Sequence, residues 1–204
     1  MKVKEHWQRV YQNHQSEEVS WYQARPNVSL QFLEELQVSK EASIIDIGGG
    51  DSTFVDHLLE RGYKDITVLD ISPAALDKAK LRLGEKAKMV EWIERDVTRF
   101  DGRRKYDLWH DRAVLHFLTK EQEVEDYFRI ANNSAKKGGK IILGIFSLNG
   151  PEKCSGLPVQ GYSEEIITAK AKNFFQKIKC ITIEHFTPLN TIQQFLFCSF
   201  LKAN

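Results

Sequence analysis

Cysteine, methionine and proline are scarce in this chain of 204 residues: it has three Cys, two Met and five Pro. The cysteines, Cys154, Cys180 and Cys198, are odd in number and far apart, which predicts reduced thiols rather than a disulfide framework. No Cys-x-x-Cys pair occurs, so the usual zinc spacing is absent and we expect no metal site.

Long apolar segments are also missing. No run of about eighteen apolar residues is present, which excludes a membrane-spanning helix of ordinary length. The N-terminus is charged and has no apolar signal segment, so we expect a cytoplasmic protein without a membrane partner.

The chain has almost no net charge. Lys and Arg total 29, Asp and Glu total 28, and the formal charge is +1. A charge this small provides no attractive field for a polyanion, so no nucleic-acid partner is expected. Hydrophobic residues make up 42% of the chain and charged residues 28%, which is typical of a globular domain.

Short apolar runs alternate with amphipathic segments, a pattern typical of a doubly wound, mostly parallel α/β sheet with helices on both faces. The last two strands are joined by a turn at 188–190 and should form an antiparallel pair. The glycine pair 138–139 is expected to end the fifth helix. Helices are predicted over 5–11, 27–36, 54–61, 74–83, 121–135 and 164–175, and strands over 43–47, 65–69, 89–94, 106–110, 140–146, 178–184 and 193–201.

A glycine-rich loop follows the first predicted strand, at the sheet edge where α/β proteins bind ligands. The dinucleotide pattern is broken, because Gly48 and Gly50 are followed by Thr53 where Gly or Ala is expected. Asp46 and Asp51 flank the glycines, and their charges would repel a pyrophosphate but attract an ammonium or sulfonium group. The loop therefore favours S-adenosylmethionine (SAM) over NAD.

Asp70 ends the second predicted strand, about twenty residues beyond the glycines, where an acidic residue meets ribose hydroxyls in nucleotide-binding sheets. The alternative is an N-cap for the helix that begins at Pro73.

Several segments together resemble class I SAM-dependent methyltransferases, the seven-β-strand, Rossmann-like family, in order and spacing. They are Asp46-Ile-Gly-Gly-Gly50, Asp70, Glu94-Arg-Asp-Val97, Tyr106-Asp107 and Lys137-Gly-Gly139, and the likeness covers about 38–146. The resemblance implies SAM as cofactor and a seven-stranded sheet with an antiparallel C-terminal strand. It also implies a cofactor site in which the glycines line the methionine part of SAM and Asp46 lies near its amino group. In the same site Asp70 binds the ribose, and Asp96 with Val97 faces the adenine. The residues of this implied site are Asp46, Gly48, Gly49, Gly50, Asp70, Ile71, Asp96 and Val97.

We expect a single methyltransferase domain over residues 1–204. Its predicted parts are an N-terminal helical arm or lid at 1–37, the SAM-binding core at 38–146, and an acceptor-side loop, helix and closing strands at 147–204. A monomer or a homodimer is expected.

The segment after the fourth strand should lie beside the transferred methyl group. Asp111 and Arg112 are catalytic candidates, since an Asp-Arg or Asp-Lys pair here is similar to that of small-molecule thiol and thiopurine methyltransferases and of some protein-lysine methyltransferases. His110 and His116 are further candidates, because neutral imidazole is available as a base near pH 7. A hydrogen-bonded structural histidine is the alternative for each.

Two segments are candidates for a lid over the acceptor. The first contains Trp21, Tyr22 and Arg25, and the second is a loop at 149–161 that contains Cys154 and is long enough to suggest a function. Packing of the arm on the domain and an incidental loop cysteine are the alternatives.

Four functions compete at this stage. The neutral charge and compact chain favour a methyltransferase for a small molecule. A protein-lysine methyltransferase would use Asp111, Arg112 and an acidic groove around Asp107, Asp111 and Glu121. A SAM-binding protein without transfer activity stays open, whereas a nicotinamide-dependent reductase is disfavoured by Thr53 and Asp46 and by the lack of a Tyr-x-x-x-Lys pair.

Overall fold

The computed structural model describes residues 3–203. The helices are α1 (Val3–Asn13), α2 (Asn27–Glu35), α3 (Phe54–Glu60), α4 (Pro73–Leu83), α5 (Glu121–Ser134) and α6 (Glu164–Ala171). The strands are β1 (Ser43–Ile47), β2 (Asp65–Asp70), β3 (Val90–Glu94), β4 (Tyr106–Arg112), β5 (Ala135–Phe146), β6 (Lys153–Cys154), β7 (Leu157–Pro158), β8 (Phe175–Phe186) and β9 (Ile192–Lys202).

Seven strands form one sheet in the order β3-β2-β1-β4-β5-β9-β8. Strands β1 to β5 pair with one another in parallel, and β9 is antiparallel to both β5 and β8. The predicted α/β fold with an antiparallel C-terminal strand is confirmed. The reversal of strand order between β1 and β4 opens a crevice at the carboxyl ends of these strands, where such sheets bind ligands.

Both faces of the sheet are covered, and this explains why its central strands β1 and β4 are buried along most of their length. All five residues of β1 are buried. Along β5, Ile141, Leu143 and Ile145 belong to one apolar layer, whereas Ile142 and Phe146 belong to the other. The alternation follows from the two-residue period of a strand.

The glycine pair after α5 has a different role from the one predicted. The helix ends at Ser134, and β5 begins at once with Ala135. Gly138 has φ +70°, and the register between β4 and β5 is irregular here. The predicted glycine C-cap is therefore wrong, because the pair serves an irregularity at the start of a strand, where a positive φ suits glycine.

The cysteines also differ from expectation. Cys180 on β8 and Cys198 on β9 are directly opposed in the register and form a disulfide, with Cα atoms 4.1 Å apart. The prediction of reduced thiols is wrong for this pair, since a separation of 18 residues in the sequence conceals their contact in the hairpin. Cys154 is a free, buried thiol.

The remaining differences concern ends of elements. β4 continues to Arg112, so Asp111 and Arg112 lie within the strand rather than after it. The loop 149–161 contains the small β6–β7 hairpin. Among the helices within residues 3–203, none is long and apolar enough to cross a membrane.

Candidate active site

A cavity lies at the carboxyl ends of β1, β2 and β4 and extends beneath the N-terminal arm. One half is lined by residues of the predicted cofactor site: Gly48, Asp70, Ile71, Asp96 and Val97. The other half is lined mainly by aromatic side chains: Trp7, Tyr11, Trp21, Phe117, Phe146 and Phe195. Arg112 and Cys154 also line this cavity.

Gly48 occupies a position that no other residue type fits. Its φ is +64°, and a Cβ there would overlap with Cγ2 of Val114. Its N–H donates to the carbonyl oxygen of Leu69 at 2.7 Å, which holds the loop against the end of β2. Gly49 and Gly50 lie behind it, where a Cβ would overlap with the carboxylates of Asp46 and Asp70 respectively. The three glycines therefore bring backbone close to two buried acidic groups.

Asp46 is buried at the end of β1 behind the glycines. Its Oδ1 is 2.6 Å from Nδ1 of His110, and the other ring nitrogen, Nε2, is 2.9 Å from the hydroxyl of Ser29. His110 also stacks on Phe54, with ring centroids 4.1 Å apart. His110 is not among the cavity-lining residues, and both its nitrogens are engaged, so its position suits orientation of Asp46 rather than proton transfer.

Asp70 lines the cavity at the end of β2. Its Oδ1 accepts a hydrogen bond from the backbone N–H of Ser72 at 2.8 Å. The pKa of Asp70 is raised to about 7, mainly by burial and in smaller part by the nearby charge of Asp46, while backbone N–H groups of Ser72, Gly50 and Ile71 oppose the rise. A cation bound at this point would stabilise the charged carboxylate.

Asp96 and Val97 form the wall beyond β3. The Oδ1 of Asp96 accepts hydrogen bonds from the backbone N–H and the hydroxyl of Thr98, at 2.9 and 2.7 Å. This caps a short 3₁₀ turn, Val97–Arg99, and fixes the carboxylate at the cavity rim.

The sequence predicts that the charge of Asp51 attracts a cation at the glycine loop, but that charge is paired within the protein. It forms an ion pair with Arg82 at 2.6 Å and accepts a hydrogen bond from Ser16. The acidic character of the loop therefore comes from Asp46 and Asp70.

Asp111 is completely buried and is not among the residues that line the cavity. Its carboxylate accepts hydrogen bonds from Tyr127 Oη at 2.6 Å and from the backbone N–H groups of Val114 and Leu115 at 2.9 and 3.2 Å. Burial raises the pKa of Asp111 to about 6. The geometry makes Asp111 an anchor for the turn that presses Val114 onto Gly48.

Arg112, in contrast, faces the cavity. Its Nη1 donates to the carbonyl oxygen of Trp21 at 2.8 Å, and its guanidinium lies 5.3 Å from the ring centroid of Phe195. Burial lowers the pKa of Arg112 to about 10, so the group stays charged at neutral pH.

His116 is buried and does not line the cavity. Its Nδ1 accepts a hydrogen bond from the backbone N–H of Phe146 at 3.2 Å, and its ring stacks on that of Phe146. Burial, with the charge of Arg112, lowers the pKa of His116 to about 3. The ring is therefore neutral with its proton on Nε2, which leaves no free lone pair for a base.

The N-terminal arm forms a wall of the cavity. Trp7 meets Trp21 and Phe117 edge to face, with centroids 5.7 and 5.0 Å apart. Gln8 fastens the arm, since its Oε1 accepts hydrogen bonds from Ser72 Oγ and Ala74 N, both at 3.0 Å.

Only part of the predicted lid is at the cavity. Trp21 and Cys154 line it, Tyr22 borders a separate small pocket, and Arg25 is exposed and lines neither. Sequence reasoning missed Trp7, Tyr11, Phe117 and Phe195. The spacing of Trp7 and Tyr11, four residues apart on one helix face, is the signal that was available for two of them.

The acidic groove expected for a protein substrate does not form. Asp107 lies toward the opposite edge of the sheet, where it binds Ser43 and Lys136, whereas Asp111 is buried. Glu121 forms an ion pair with Lys170 at the surface.

Comparisons with known proteins bear directly on this site. The sequence profile of a family described as a methyltransferase domain matches residues 45–141, which span the glycine loop, Asp70, Asp96 and β4. The N-methyltransferase NodS from Bradyrhizobium japonicum, solved with S-adenosyl-L-homocysteine, has a similar structure: the TM-score is 0.71 at 17% identity, over 97% of this chain and 98% of that one. Residues 45–141 therefore belong to the methyltransferase domain family, and the chain as a whole has the fold of the class I SAM-dependent methyltransferases.

Two curated relatives show how far the sequence likeness extends. Malonyl-[acyl-carrier protein] O-methyltransferase 1 from Ilyobacter polytropus is 32% identical over 111 residues, which are 52% of this chain and 39% of the relative. EEF1A lysine methyltransferase 2 from Mus musculus is 27% identical over 82 residues, which are 36% and 34% of the two chains. This chain therefore spans only about a third to two fifths of the length of these relatives.

The residues around this cavity fit SAM, the cofactor of methyltransferases with this fold. Asp46 Oδ2 is buried behind the glycines rather than at the cavity surface, and no hydrogen-bond partner is found for it among residues 3–203, so this carboxylate oxygen is left unsatisfied by the protein groups described. Asp70 is a buried carboxylate whose ionisation a nearby cation would favour. No cluster of three or more His, Cys, Asp or Glu suited to a metal occurs in the same part of the chain.

Proposed function

We propose that this protein is a methyltransferase that transfers a methyl group from SAM to a small molecule bound in the aromatic half of the cavity. The observation that carries the proposal is that one cavity joins Gly48, Asp70 and Asp96 to the enclosure formed by Trp7, Trp21 and Phe117. A mostly apolar enclosure with few polar groups is typical of a small-molecule site.

In this proposal, the glycine loop and Asp46 hold the methionine part of SAM, Asp70 and Ile71 hold the ribose, and Asp96 and Val97 hold the adenine. SAM, when bound, supplies an electrophilic methyl group on a sulfonium, which becomes a neutral thioether on transfer. The protein's contribution is to align the acceptor and exclude water. Trp7 and Trp21 exclude water because they cover the cavity from the arm.

We propose no histidine base. His110 is engaged by Asp46 and Ser29, and Nδ1 of His116 is engaged by a backbone N–H. A base is needed only for an acceptor that arrives protonated. The proposal therefore favours an acceptor whose nucleophilic atom has a free lone pair at neutral pH, and His110 and Asp111 take positioning roles.

A protein-lysine methyltransferase is the second candidate, suggested by the likeness to EEF1A lysine methyltransferase 2. Two observations favour the small molecule instead. The predicted acidic groove is absent, and the charged Arg112 lines the cavity, where it would repel the ammonium form of a lysine.

Calorimetry with SAM and S-adenosylhomocysteine tests the cofactor site. We expect micromolar binding that Asp70→Ala abolishes and that Asp77→Ala, an exposed control on α4, retains. Absence of binding to either ligand would contradict the proposal.

Methyl-labelled SAM distinguishes the two acceptor classes. The enzyme is incubated with a filtered small-molecule extract of cells and, separately, with the dialysed protein extract. Label in the small-molecule fraction supports the proposal, whereas a discrete labelled protein band without small-molecule label favours the lysine alternative.

A cytoplasmic location, the lack of a nucleic-acid partner and a monomeric or homodimeric state stay predictions from the sequence. Light scattering during size-exclusion chromatography measures the last of these directly.

A further inference from the structure

We infer that the methyl acceptor is an aromatic or similarly apolar molecule that carries a carboxylate, and that the side chain of Arg112 turns Nε and Nη2 toward the cavity to bind this carboxylate. The inference rests on the proposed function, since it assigns the substrate class of the same cavity. Its basis is a buried positive charge that has no counter-ion among residues 3–203.

The guanidinium of Arg112 is only partly satisfied. Nη1 donates to the Trp21 carbonyl oxygen, but Nε and Nη2 are shielded from solvent and no hydrogen-bond partner is found for them within residues 3–203. Across these residues no carboxylate oxygen lies within 4.0 Å of the guanidinium. An unpaired buried charge is costly, and such groups are normally paired.

The protein groups around Arg112 supply no anion in contact with it. Asp46 attracts it, but its Oδ1 is bound to His110. Burial raises the pKa values of Tyr11 and Cys154, so both stay protonated at neutral pH. His116 and His185 are held in the neutral form, since burial and the charge of Arg112 lower their pKa values.

The two unpaired nitrogens suit a carboxylate in particular. The N–H bonds of Nε and Nη2 on one guanidinium are nearly parallel and lie in its plane, so they match the two oxygens of a carboxylate. The surrounding rings suit the apolar remainder of the acceptor: Phe195 lies against the guanidinium, and Trp7, Trp21 and Phe117 enclose the cavity beyond it.

A purely structural role, in which Arg112 only ties the arm through the Trp21 carbonyl, is the competing explanation. That hydrogen bond uses Nη1 alone, and a neutral donor would make it without the cost of a buried charge. The structural explanation predicts no preference for anionic ligands.

The test compares acids with their amides as probes: 2-naphthoate with 2-naphthamide, and indole-3-acetate with indole-3-acetamide. Binding of S-adenosylhomocysteine is measured first by calorimetry, and each probe is then titrated into the saturated protein. We expect at least one acid to bind about tenfold or more tightly than its amide, and Arg112→Met to abolish the preference. Arg104→Met, which removes a surface arginine paired with Asp65 and Glu91, should keep it.

The outcomes separate the two proposals. Failure to bind S-adenosylhomocysteine counts against the proposed function. Binding of S-adenosylhomocysteine together with equal affinities for acid and amide, including no affinity for either, overturns the inference about Arg112. The wild-type comparison decides this even where Arg112→Met does not fold.

Discussion

Val114 covers Gly48, because its Cγ2 occupies the space that a Cβ on Gly48 would need. Asp111 enforces this contact, since its carboxylate accepts the backbone N–H of Val114 at 2.9 Å. A residue predicted to be catalytic thus shapes the cofactor loop from behind, without lining the cavity.

We expect Gly48→Ala to destabilise the protein and to abolish binding of S-adenosylhomocysteine in calorimetry. A positive φ costs a non-glycine residue about 1–2 kcal/mol, and the overlap with Val114 adds to it. Gly84→Ala is the matched control, since Gly84 also has a positive φ, +56°, but open space around it. Equal effects of the two substitutions on ligand binding would contradict this account, whereas partial recovery in Gly48→Ala with Val114→Ala would support it.

Asp70 should make stability depend on pH. Its pKa is about 7 in the folded protein, and an unfolded Asp titrates near 3.9, so the folded state holds the extra proton between these values. The contribution of Asp70 to stability therefore falls as pH rises from about 4 to about 7. Asp70→Asn removes this titration, so we expect its Tm relative to wild type to be higher by several degrees at pH 8 than at pH 5.

The comparison of two pH values separates the titration of Asp70 from lost hydrogen bonds, which lower Tm equally at both. Asp77→Asn, at an exposed position on α4, is the control, and the difference between its Tm and that of the wild type should change little with pH. A Tm difference between Asp70→Asn and the wild type that stays constant from pH 5 to pH 8 would rule out the raised pKa of Asp70.

Substitution of His110 should weaken binding of the cofactor rather than act on the acceptor. Its substitution by Gln lengthens or removes the 2.6 Å contact with Asp46, and a buried hydrogen bond to a charged group is worth about 1.5–3 kcal/mol. We expect His110→Gln to weaken binding of S-adenosylhomocysteine about tenfold or more, and Ser29→Ala, which removes only the second contact of the ring, to weaken it less. A base acting on the acceptor would leave this affinity unchanged, so an unaltered Kd would refute the positioning role.

The Cys180–Cys198 disulfide can be tested by counting the reactive thiols before and after reduction. Denatured, unreduced protein should expose one thiol to a thiol reagent, and reduced protein three. In the chain-entropy account, a disulfide between residues 18 apart in the sequence stabilises a protein by about 3 kcal/mol, so its reduction should lower Tm. Cys154→Ser is the control: it should remove the single thiol and leave the effect of reduction intact. Three reactive thiols before reduction would show that the disulfide is absent.

The order of elements and the half of the cavity proposed to hold the cofactor follow from local sequence. Strand and helix periodicity depends on neighbouring residues, so the sequence predicts all seven strands of the sheet, and the structure differs from these predictions only at the strand ends. The glycine loop, Asp70 and Asp96 stand at fixed distances after strands, and parallel strands bring their carboxyl ends to one edge whatever the rest of the chain does.

The tertiary structure decided which face each side chain meets. His110, Asp111 and Arg112 are consecutive on β4, yet the first contacts Asp46 and Ser29, the second anchors a turn, and only the third lines the cavity. The alternation of a strand predicts that successive side chains point to opposite faces of the sheet. It does not predict which of them lines a cavity, because that depends on how the N-terminal arm packs. The aromatic wall and the cross-strand disulfide likewise join residues far apart in the chain, whose contact only the complete fold establishes.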